Sequence, residues 1–427
     1  MGNWIYNTTV HIQLPFFEPI TKAMMLLGEI LLWVCVYGLA HSYVIYPLLV
    51  RWAAAKKSNN QVIHQSTEEL PDVFFVMSLY NEESVIAKKL VTLTQSTYPT
   101  DKLHFYIGSD CSSDATNAIV DEWASKHPQA HFYAFEARRG KPSVINDLIQ
   151  QAQVHHSFSQ NDALIISDAN VLLEPTTIYE LVKHFKNPAI GLVDSNIQQP
   201  HQQAMVAEGI AATEDGYISR EVHIKHLEGR AWGRTMGPLG GCYAIRAQLF
   251  SPIPPNFLVD DFYIAMKIFE QGGRAINELE AVCYEVVSSD LKEEFRRKTR
   301  ISAGNFANLA AFKHLLWPPT SSLGFAFLSH KVLRWLGPFF IIISYGCLCL
   351  LTLVYHNQFY KTLLLLANIG LFGIPLLDAI LKQFNINVVI LRYITYFNAM
   401  NLALFNGFFK YLKGVQNGIW QPTKRNV

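Results

Sequence analysis

Acidic residues stand at the ends of three apolar runs in the middle of the chain. They are Asp110, Asp168 and the pair Asp260 and Asp261. In open α/β sheets ligands bind outside the carboxyl ends of the strands, so these carboxylates are expected to meet at one edge of a sheet. The same chain carries apolar runs long enough to cross a bilayer. The combination indicates a membrane enzyme that handles a phosphorylated donor.

Two further loops carry polar groups that could contact a nucleotide. The loop Arg138-Arg-Gly-Lys141 precedes a predicted helix, where cations and the positive helix end suit a diphosphate; a solvated basic turn is the equal alternative. Asn81 and Glu82 open another helix and could face a base or ribose, unless Asn81 only caps that helix. Asp114 is better explained as a helix cap. The loops do not form a Walker motif, because the Gly-Lys-Ser/Thr context is missing.

The elements that must position these groups alternate along the chain. Short runs rich in Val, Ile and aromatic residues predict strands, and stretches with apolar residues at helical spacing predict helices. This alternation predicts a largely parallel sheet covered by helices. The predicted strands are 73–77, 103–107, 131–135, 164–166 and 190–193, and the predicted helices are 82–95, 115–126, 144–154, 177–185 and 262–271.

Apolar runs at both ends of the chain predict membrane helices. The first covers 24–50, and three more follow the central region at 336–354, 362–381 and 388–409. Basic residues directly after the first run place the central region on the cytoplasmic side. The predicted domains are therefore an amino-terminal segment 1–55 with one span, a catalytic domain 56–319, and a carboxyl-terminal membrane region 320–427.

Two of the carboxyl-terminal segments are unusually polar. Arg392, Asn398 and Asn401 lie in the last apolar run, so a re-entrant or interfacial helix is the alternative to a span. The same side chains could line an extrusion path. The segment 325–335 carries three basic side chains and predicts an amphipathic helix in the membrane interface.

Charge balance and cysteine spacing indicate which partners and ligands are not expected. Lys and Arg total 35 against 34 for Asp and Glu, and no basic stripe stands out, so nucleic acid is not an expected partner. The six cysteines lack zinc-type spacing and are expected to be reduced packing residues.

Five motifs in order resemble one known family. They are Tyr-Asn-Glu at 80–82, Asp-Xaa-Ser-Ser-Asp-Xaa-Thr at 110–116, Arg-Gly-Lys at 139–141, Asp-Ala-Asn at 168–170 and Asp-Asp at 260–261. Over about residues 71–307 the chain is similar to the processive-type family 2 glycosyltransferases, which include membrane synthases of hyaluronan, cellulose, chitin oligosaccharides and poly-N-acetylglucosamine. The resemblance implies an α/β fold: a GT-A (Rossmann-like) cytosolic glycosyltransferase domain flanked by transmembrane α-helices.

The resemblance also implies a donor site. Asp110 matches the carboxylate that contacts the uridine end of the donor, and Lys141 matches a basic residue near the nucleotide or diphosphate. Asp168 matches the first acid of the Asp-Xaa-Asp element that holds a divalent cation. Asn170 replaces the second acid, but an amide oxygen still suits Mg²⁺ or Mn²⁺. Asn81 and Glu82 join the expected nucleotide-sugar contacts.

For the acceptor side the resemblance implies a base. Asp261 matches the general base, with Asp260 in the place of the usual Glu, and a carboxylate there could take the acceptor's proton. The alternative is that the pair only begins a helix. Gly240 and Gly241 match a glycine-containing segment near the acceptor, unless they form a plain tight turn. Trp232 is either a sugar platform or a core residue.

The last motif departs from the family pattern. Arg300 fits the arginine of the Gln-Xaa-Xaa-Arg-Trp element, whereas Arg297 replaces the Gln and Ile301 replaces the Trp that contacts the acceptor. The resemblance implies that Arg300 approaches the diphosphate, and Arg297 lies beside it on the predicted helix, so both are expected nucleotide-sugar contacts. A basic helix at the cytoplasmic membrane surface is the alternative. The missing Trp makes processive synthesis an unsafe inference.

These expectations combine into one functional hypothesis. The chain is expected to be an inverting, metal-dependent glycosyltransferase of the inner membrane, multi-pass, with its catalytic domain in the cytoplasm. It would move a sugar from a nucleotide-sugar, by default a UDP-sugar, to a polysaccharide or lipid-linked acceptor. Membrane lipids and polysaccharide export proteins are the other expected partners. The rival hypothesis is an inactive transferase-like scaffold or assembly subunit of an export system.

Overall fold

One mixed β-sheet forms the centre of the molecule. The structure is a computed structural model that describes residues 18–62, 70–199, 210–285, 291–384 and 386–414. Within these residues eight strands pair in the order β3-β2-β1-β4-β7-β6-β8-β5. The strands are β1 Val73–Leu79, β2 Leu103–Ser109, β3 Ala130–Ala134, β4 Ala163–Ser167, β5 Val171–Leu173, β6 Ile190–Gln198, β7 Cys242–Arg246 and β8 Arg274–Glu285.

Half of the sheet has the predicted parallel pairing. β3, β2, β1 and β4 pair with one another in parallel. β7 runs antiparallel to β4 and β6, and β5 runs antiparallel to β8, so the sheet is mixed. The carboxyl ends of β2 and β4 therefore share one edge, and Asp110 and Asp168 follow directly from it.

Helices cover both faces of the sheet and form the segments before and after it in the chain. They are α1 Glu18–Ala40, α2 Tyr46–Ala54, α3 Glu83–Thr94, α4 Thr116–Ala124, α5 Lys141–His155, α6 Thr177–Val182, α7 Ile210–Trp232, α8 Asp260–Glu270, α9 Leu291–Phe312, α10 Ser322–Ala326, α11 Leu333–Trp335, α12 Gly337–Tyr355, α13 Gln358–Asn368, α14 Ile374–Gln383 and α15 Val389–Leu412.

Alternate side chains of each strand supply two separate cores. On β1, Phe74 and Val76 pack with residues of α5 and α8, whereas Phe75 and Met77 pack with residues of α3, α4 and α6. Because both faces are covered, the strand reads as a continuous apolar run rather than an alternating one. That run is the signal that made β1 predictable.

Three helical stretches of the described residues are long and apolar enough to cross a membrane. They are Lys22–Ala54, Gly337–Tyr355 and Gln358–Gln383, and they coincide with the first three predicted spans. This indicates that the chain is associated with a membrane. The first 17 residues of the predicted amino-terminal segment and the tail from 415 onward lie outside the described residues.

The fourth predicted span is a helix, α15, but it is not among those three stretches. Its polar side chains bond to neighbouring helices. Arg392 Nε lies 3.3 Å from Asp378 Oδ1, and Asn398 Nδ2 donates to the Gly370 carbonyl at 2.9 Å. These contacts join α15 to the helical segment 369–383 that precedes it. The extrusion path that the sequence suggested for Arg392, Asn398 and Asn401 stays a prediction.

The segment 325–335, predicted to be an amphipathic helix in the membrane interface, has a different environment in the structure. It is helical, running from α10 through a π-helical stretch Phe327–Val332 into α11, but it is buried in protein rather than spread on a membrane surface. His330 is fully buried and lies 2.5 Å from Glu221 and 2.6 Å from Glu228. Lys331 and Arg334 also pair with Glu221. The basic side chains face acids of α7, which sequence periodicity alone could not reveal.

The larger core extends across both predicted domain boundaries. Tyr46 and Val50 from α2 pack in the same cluster as Phe327 and Trp335, together with Phe262 of α8. The central domain therefore shares its core with the segments on either side of it.

Candidate active site

Two adjoining spaces lie at the carboxyl edge of the parallel strands. The narrow pocket has a volume of about 40 Å³, and the wide cavity has a volume of about 760 Å³. Lys141, Asp168 and Asn170 line both of them. These three side chains therefore stand where the two spaces meet.

The narrow pocket gathers residues from three loops. Glu82 lies at the start of α3, Asp110 follows β2, and Arg138 precedes α5. The Arg138 guanidinium lies 3.5 Å from the centre of the Tyr80 ring, a cation–π contact on the pocket wall. A flat aromatic and guanidinium surface beside buried carboxylates suits a nucleoside.

Asp110 organises the basic loop. It is buried, and its two carboxylate oxygens accept the backbone N–H groups of Arg139 and Gly140 at 2.7 and 2.8 Å. Gly140 has φ of +89°, a conformation that favours glycine. Asp110 thereby fixes the loop that delivers Lys141 to the pocket, in addition to lining the pocket itself.

Asn81 has a different role from the two that the sequence suggested. It adopts φ of +52°, and its Oδ1 accepts the backbone N–H of Ser113 at 2.9 Å, so it joins two loops rather than capping α3. It is not among the residues that line the narrow pocket. Asp114 does cap: its carboxylate accepts from Thr116 N at the start of α4 and from Glu83 N at the start of α3.

Lys141 connects two of the acidic turns. Its Nζ donates to Asp168 Oδ1 at 2.7 Å and lies 3.6 Å from Asp260 Oδ2. Burial alone would lower the pKa of Lys141, but the carboxylates of Asp168 and Asp260 outweigh burial and raise it. The lysine is therefore a fixed positive charge between the β4 turn and the start of α8.

Asp261 is a carboxyl group with an unusually high proton affinity. Burial, and next the charge of Asp260, raise its pKa to about 7, although Lys141 and the hydrogen bond from Phe262 N oppose the rise. It lines the wide cavity. A carboxylate with that pKa can accept a proton at neutral pH.

Asn170 is held by an acid that the sequence did not single out. Its Nδ2 donates to Oε1 of Glu285, the last residue of β8, at 3.0 Å. Glu285 lines the wide cavity with Asp168 and Asn170. Since β8 itself was not predicted, nothing in the sequence placed Glu285 near this turn.

A second residue that the sequence did not single out contacts both sides of the same turn. Lys89 of α3 is fully buried, and its Nζ donates to Ser167 Oγ at 2.8 Å and to the Val171 carbonyl at 2.5 Å. Ser167 and Val171 flank the turn that carries Asp168 and Asn170. Burial lowers the pKa of Lys89 to about 8.

The wide cavity has a basic wall formed by α9. Arg297, Arg300 and Ile301 all line it. Arg297 Nε bonds to Glu294 at 3.1 Å. Arg300 Nη1 donates to the Leu258 carbonyl at 3.4 Å, and burial, reinforced by Arg297, lowers the pKa of Arg300.

Another part of the cavity wall is largely apolar. It comes from one helix, α15, which packs along α9. Its lining residues are Tyr393, Tyr396, Phe397, Met400, Asn401 and Leu404.

The remaining acceptor-side predictions differ in outcome. Gly240 and Gly241 line the wide cavity, and the Gly241 carbonyl accepts the backbone N–H of Asp168 at 2.9 Å. Trp232 is outside the described lining of the cavity; it packs edge-on against Phe325, with ring centres 6.1 Å apart. Core packing therefore accounts for Trp232, and the sugar platform does not.

The donor set near Asp168 suits a hard cation but is sparse. Among the described residues no group of three or more His, Cys, Asp or Glu side chains is arranged to hold a metal. Asp168 and Asn170 offer oxygen atoms, which Mg²⁺ and Mn²⁺ accept. A metal bound here would need further ligands from the substrate's phosphates.

Comparison with protein-family models identifies the chain. The model described as glycosyl transferase family group 2 matches residues 163–409, more than half of the chain, and the model described as glycosyl transferase family 2 matches residues 74–228. The chain belongs to the family 2 group of glycosyltransferases. It is a glycosyltransferase.

Curated relatives of this glycosyltransferase match over part of their length. The chain is 29% identical over 128 residues to beta-monoglucosyldiacylglycerol synthase of Synechocystis, covering 30% of this chain and 25% of that protein. It is 25% identical over 136 residues to poly-beta-1,6-N-acetyl-D-glucosamine synthase of Staphylococcus epidermidis, covering 32% and 31%. The matched segment thus spans a quarter to a third of each relative.

A solved structure extends the likeness to the whole fold. Mannosyltransferase PcManGT from Pyrobaculum calidifontis, in complex with GDP-Man and Mn²⁺, superposes with a TM-score of 0.65 at 21% identity, covering 90% of this chain and 99% of that one. The likeness shows that the glycosyltransferase has the GT-A fold, as the resemblance implied.

Proposed function

We propose that this glycosyltransferase binds the nucleoside of its nucleotide-sugar at the narrow pocket and transfers the sugar, with inversion, to an acceptor in the wide cavity. The observation that carries the proposal is the position of Lys141. It contacts Asp168 at 2.7 Å and lies 3.6 Å from Asp260 at the junction of the two spaces. The donor's diphosphate would lie at this junction, with the sugar directed toward Asp261.

The donor half of the site has one group for each part of a nucleoside diphosphate. Asp110, Glu82 and the Tyr80–Arg138 pair would contact the nucleoside, and Lys141 would contact the diphosphate. Arg300 of α9, buried on the cavity wall, would contact the leaving diphosphate from the other side. UDP-sugars are the first donors to test, and GDP-mannose joins them because the superposed mannosyltransferase was solved with it.

Asp168 and Asn170 would hold Mg²⁺ or Mn²⁺. A divalent cation in that position would neutralise charge on the departing diphosphate. The cation is part of the proposal: Asp168 would supply a carboxylate oxygen and Asn170 an amide oxygen.

The transfer step would need one base. An acceptor hydroxyl gives its proton to Asp261 and its oxygen forms a bond to the anomeric carbon. The bond between that carbon and the diphosphate oxygen breaks, and the nucleoside diphosphate leaves with the electron pair. Attack from the face opposite the diphosphate inverts the anomeric centre.

The acceptor is proposed to be lipid-linked. The apolar side chains of α15, among them Phe397, Met400 and Leu404, would accommodate an acyl or isoprenyl part beside the polar floor that carries Asp261. A polysaccharide synthase is supported less well, because Arg392 and Asn398 are engaged with neighbouring helices. Ile301 in place of the family's Trp agrees with a single addition.

The proposed location is the inner membrane, as a multi-pass protein with the catalytic domain in the cytoplasm. Three apolar helices support this orientation, together with the basic residues at the end of the first of them and directly after it, Arg51, Lys56 and Lys57.

The test is nucleotide release by the purified protein in detergent with a lipid extract as acceptor. The donors are UDP-glucose, UDP-N-acetylglucosamine and GDP-mannose, each with Mg²⁺, Mn²⁺ or EDTA. We expect release from one donor, loss in EDTA, and loss in Asp261→Asn but not in Asp121→Asn, an exposed acid on α4. Chromatography of the product would separate a single addition to a lipid from a polymer.

The rival scaffold function makes the opposite prediction. A scaffold would release no nucleotide and bind none of the donors, and Asp261→Asn would leave its cellular role intact. That result would overturn the transferase proposal at this site.

A further inference from the structure

The side-chain amide of Asn170 has two ends with opposite hydrogen-bonding character. Its oxygen can bind a cation, whereas its NH₂ group repels one. At a position where the family carries an acid, the amide is useful only if its oxygen faces the cation. A carboxylate has no such requirement, because its two oxygens are equivalent.

Glu285 determines which end of the Asn170 amide faces it. Its carboxylate can only accept hydrogen bonds, and it contacts Asn170 at 3.0 Å, so the atom that faces it must be Nδ2. The Oδ1 atom is then on the branch turned away from Glu285. Asn170 is buried, which limits exchange between the two orientations.

The backbone around this pair is constrained on both sides. Val171, next to Asn170, pairs with Glu285 across the β5–β8 ladder. On the far side, a Cβ on Gly241 would lie 3.9 Å from Glu285 Oε2 and only 2.9 Å from the side chains of Ile197 and Val171. The Glu285 carboxylate therefore lies in a closely packed space beside the turn that carries Asn170.

We propose that Glu285 is a positioning residue that orients Asn170 so that the amide oxygen, not the nitrogen, is offered to the divalent cation of the donor complex. The inference rests on the proposed function, since it assumes a cation at Asp168 and Asn170. It explains how a chain with an amide in place of the second acid keeps an oxygen ligand there.

The test is a double-mutant cycle read out by metal binding rather than by turnover. Glu285→Gln keeps the shape but adds an NH₂ donor, which can bond to Oδ1 and stabilise the flipped amide. Mn²⁺ affinity would be measured by electron paramagnetic resonance on the full-length protein in detergent, with saturating UDP and separately with GDP. Glu280→Gln, an exposed acid on the same strand, is the matched control.

Glu285→Gln is expected to weaken Mn²⁺ binding by about tenfold in the Asn170 background and by less than twofold in an Asn170→Asp background, because a carboxylate needs no orientation. Equal losses in both backgrounds would show that Glu285 is itself a ligand or a structural residue, and would overturn the proposal. Unchanged affinity in both backgrounds would overturn it as well.

A wild-type protein that binds nucleotide without any Mn²⁺ would overturn the inference while leaving the transferase proposal in place. Failure to bind UDP, GDP or Mn²⁺ at all would overturn both. Thermal unfolding of each variant checks that the fold is intact.

Discussion

The carboxylate of Asp261 lies directly against the α-carbon of Gly240. A Cβ built on Gly240 would approach Asp261 Oδ2 to 2.6 Å, and φ at Gly240 is +88°. The glycine-containing segment before β7 therefore shapes the space around the proposed base.

We expect Gly240→Ala to lower kcat at least tenfold while changing nucleotide affinity little, because the added methyl group displaces the carboxylate. Gly272→Ala is the control: φ there is +83°, but no atom lies within 4 Å of the added Cβ. Measuring kcat and the nucleotide dissociation constant of both variants separates displacement of the Asp261 carboxylate from backbone strain. Equal losses in both variants would assign the effect to backbone strain alone.

The rate of transfer should depend on pH through Asp261. Its pKa of about 7 means that the carboxyl group is protonated, and so unable to act as base, below that pH. Turnover at saturating substrate should therefore fall about tenfold per pH unit below roughly pH 6 and level off above pH 8. A flat profile between pH 5 and 8 would argue against Asp261 as the base.

The same group should make the protein less stable at alkaline pH. The folded pKa of Asp261 is raised above its unfolded value of about 4, so its contribution to stability is fully present below pH 4 and is lost as pH rises through 7. Asp261→Asn cannot ionise and should be more stable than wild type at pH 8, by on the order of 4 kcal/mol, since the shift is about three pKa units at about 1.36 kcal/mol each. Thermal unfolding at pH 8 and pH 5 should show the gain shrinking at the lower pH.

The acceptor path can be blocked without touching the donor site. Leu404→Trp would fill part of the wide cavity, whereas Leu402 lies on the same helix with its side chain exposed and outside the cavity lining. We expect Leu404→Trp to reduce transfer to the lipid extract at least fivefold with unchanged nucleotide affinity. Leu402→Trp should leave both quantities unchanged; a similar loss in both variants would contradict the proposed path.

Lys89 should matter for the diphosphate and not for the nucleoside. Lys89→Met removes two hydrogen bonds to the turn and a buried positive charge, and should weaken UDP or GDP binding roughly tenfold, about 1.4 kcal/mol. Uridine and guanosine binding should be unaffected. Lys88→Met, an exposed lysine beside it, is the control. The wild-type affinity for diphosphate should also decline above pH 8, where Lys89 loses its charge.

The part of the site built on local signals was predictable from sequence. β1, β2 and β4 are continuous apolar runs, and the acids at 110 and 168 follow them directly, so parallel pairing alone brings Asp110 and Asp168 to one edge. The start of α8 could be predicted in the same way, because Asp260 and Asp261 end an apolar run. The order of the five motifs then indicated the glycosyltransferase family.

The rest depended on tertiary contacts that leave no periodic signal. β8 carries Arg274 and Glu278 among its apolar residues, so neither the strand nor Glu285 at its end could be recognised. α7 buries Glu221, Lys225 and Glu228 against other charged groups, which erases the apolar stripe of an ordinary helix. From sequence alone, a buried charged residue cannot be distinguished from a surface one, because its partner is not known.

Glu228 is shared by groups from three parts of the chain. Its Oε1 accepts the hydroxyl of Tyr46, from the first membrane helix, and lies 2.6 Å from His330, and its Oε2 accepts the backbone N–H of Met236 at 2.9 Å. A buried carboxylate without such partners would cost several kcal/mol, so we expect the helix and the catalytic sheet to assemble cooperatively. With the first helix in the membrane, as proposed, Asp261 would be held at a constant distance from the bilayer. The proposed lipid-linked acceptor would then need a headgroup long enough to bring its hydroxyl to that distance, so membrane geometry would select among lipids that are otherwise chemically alike.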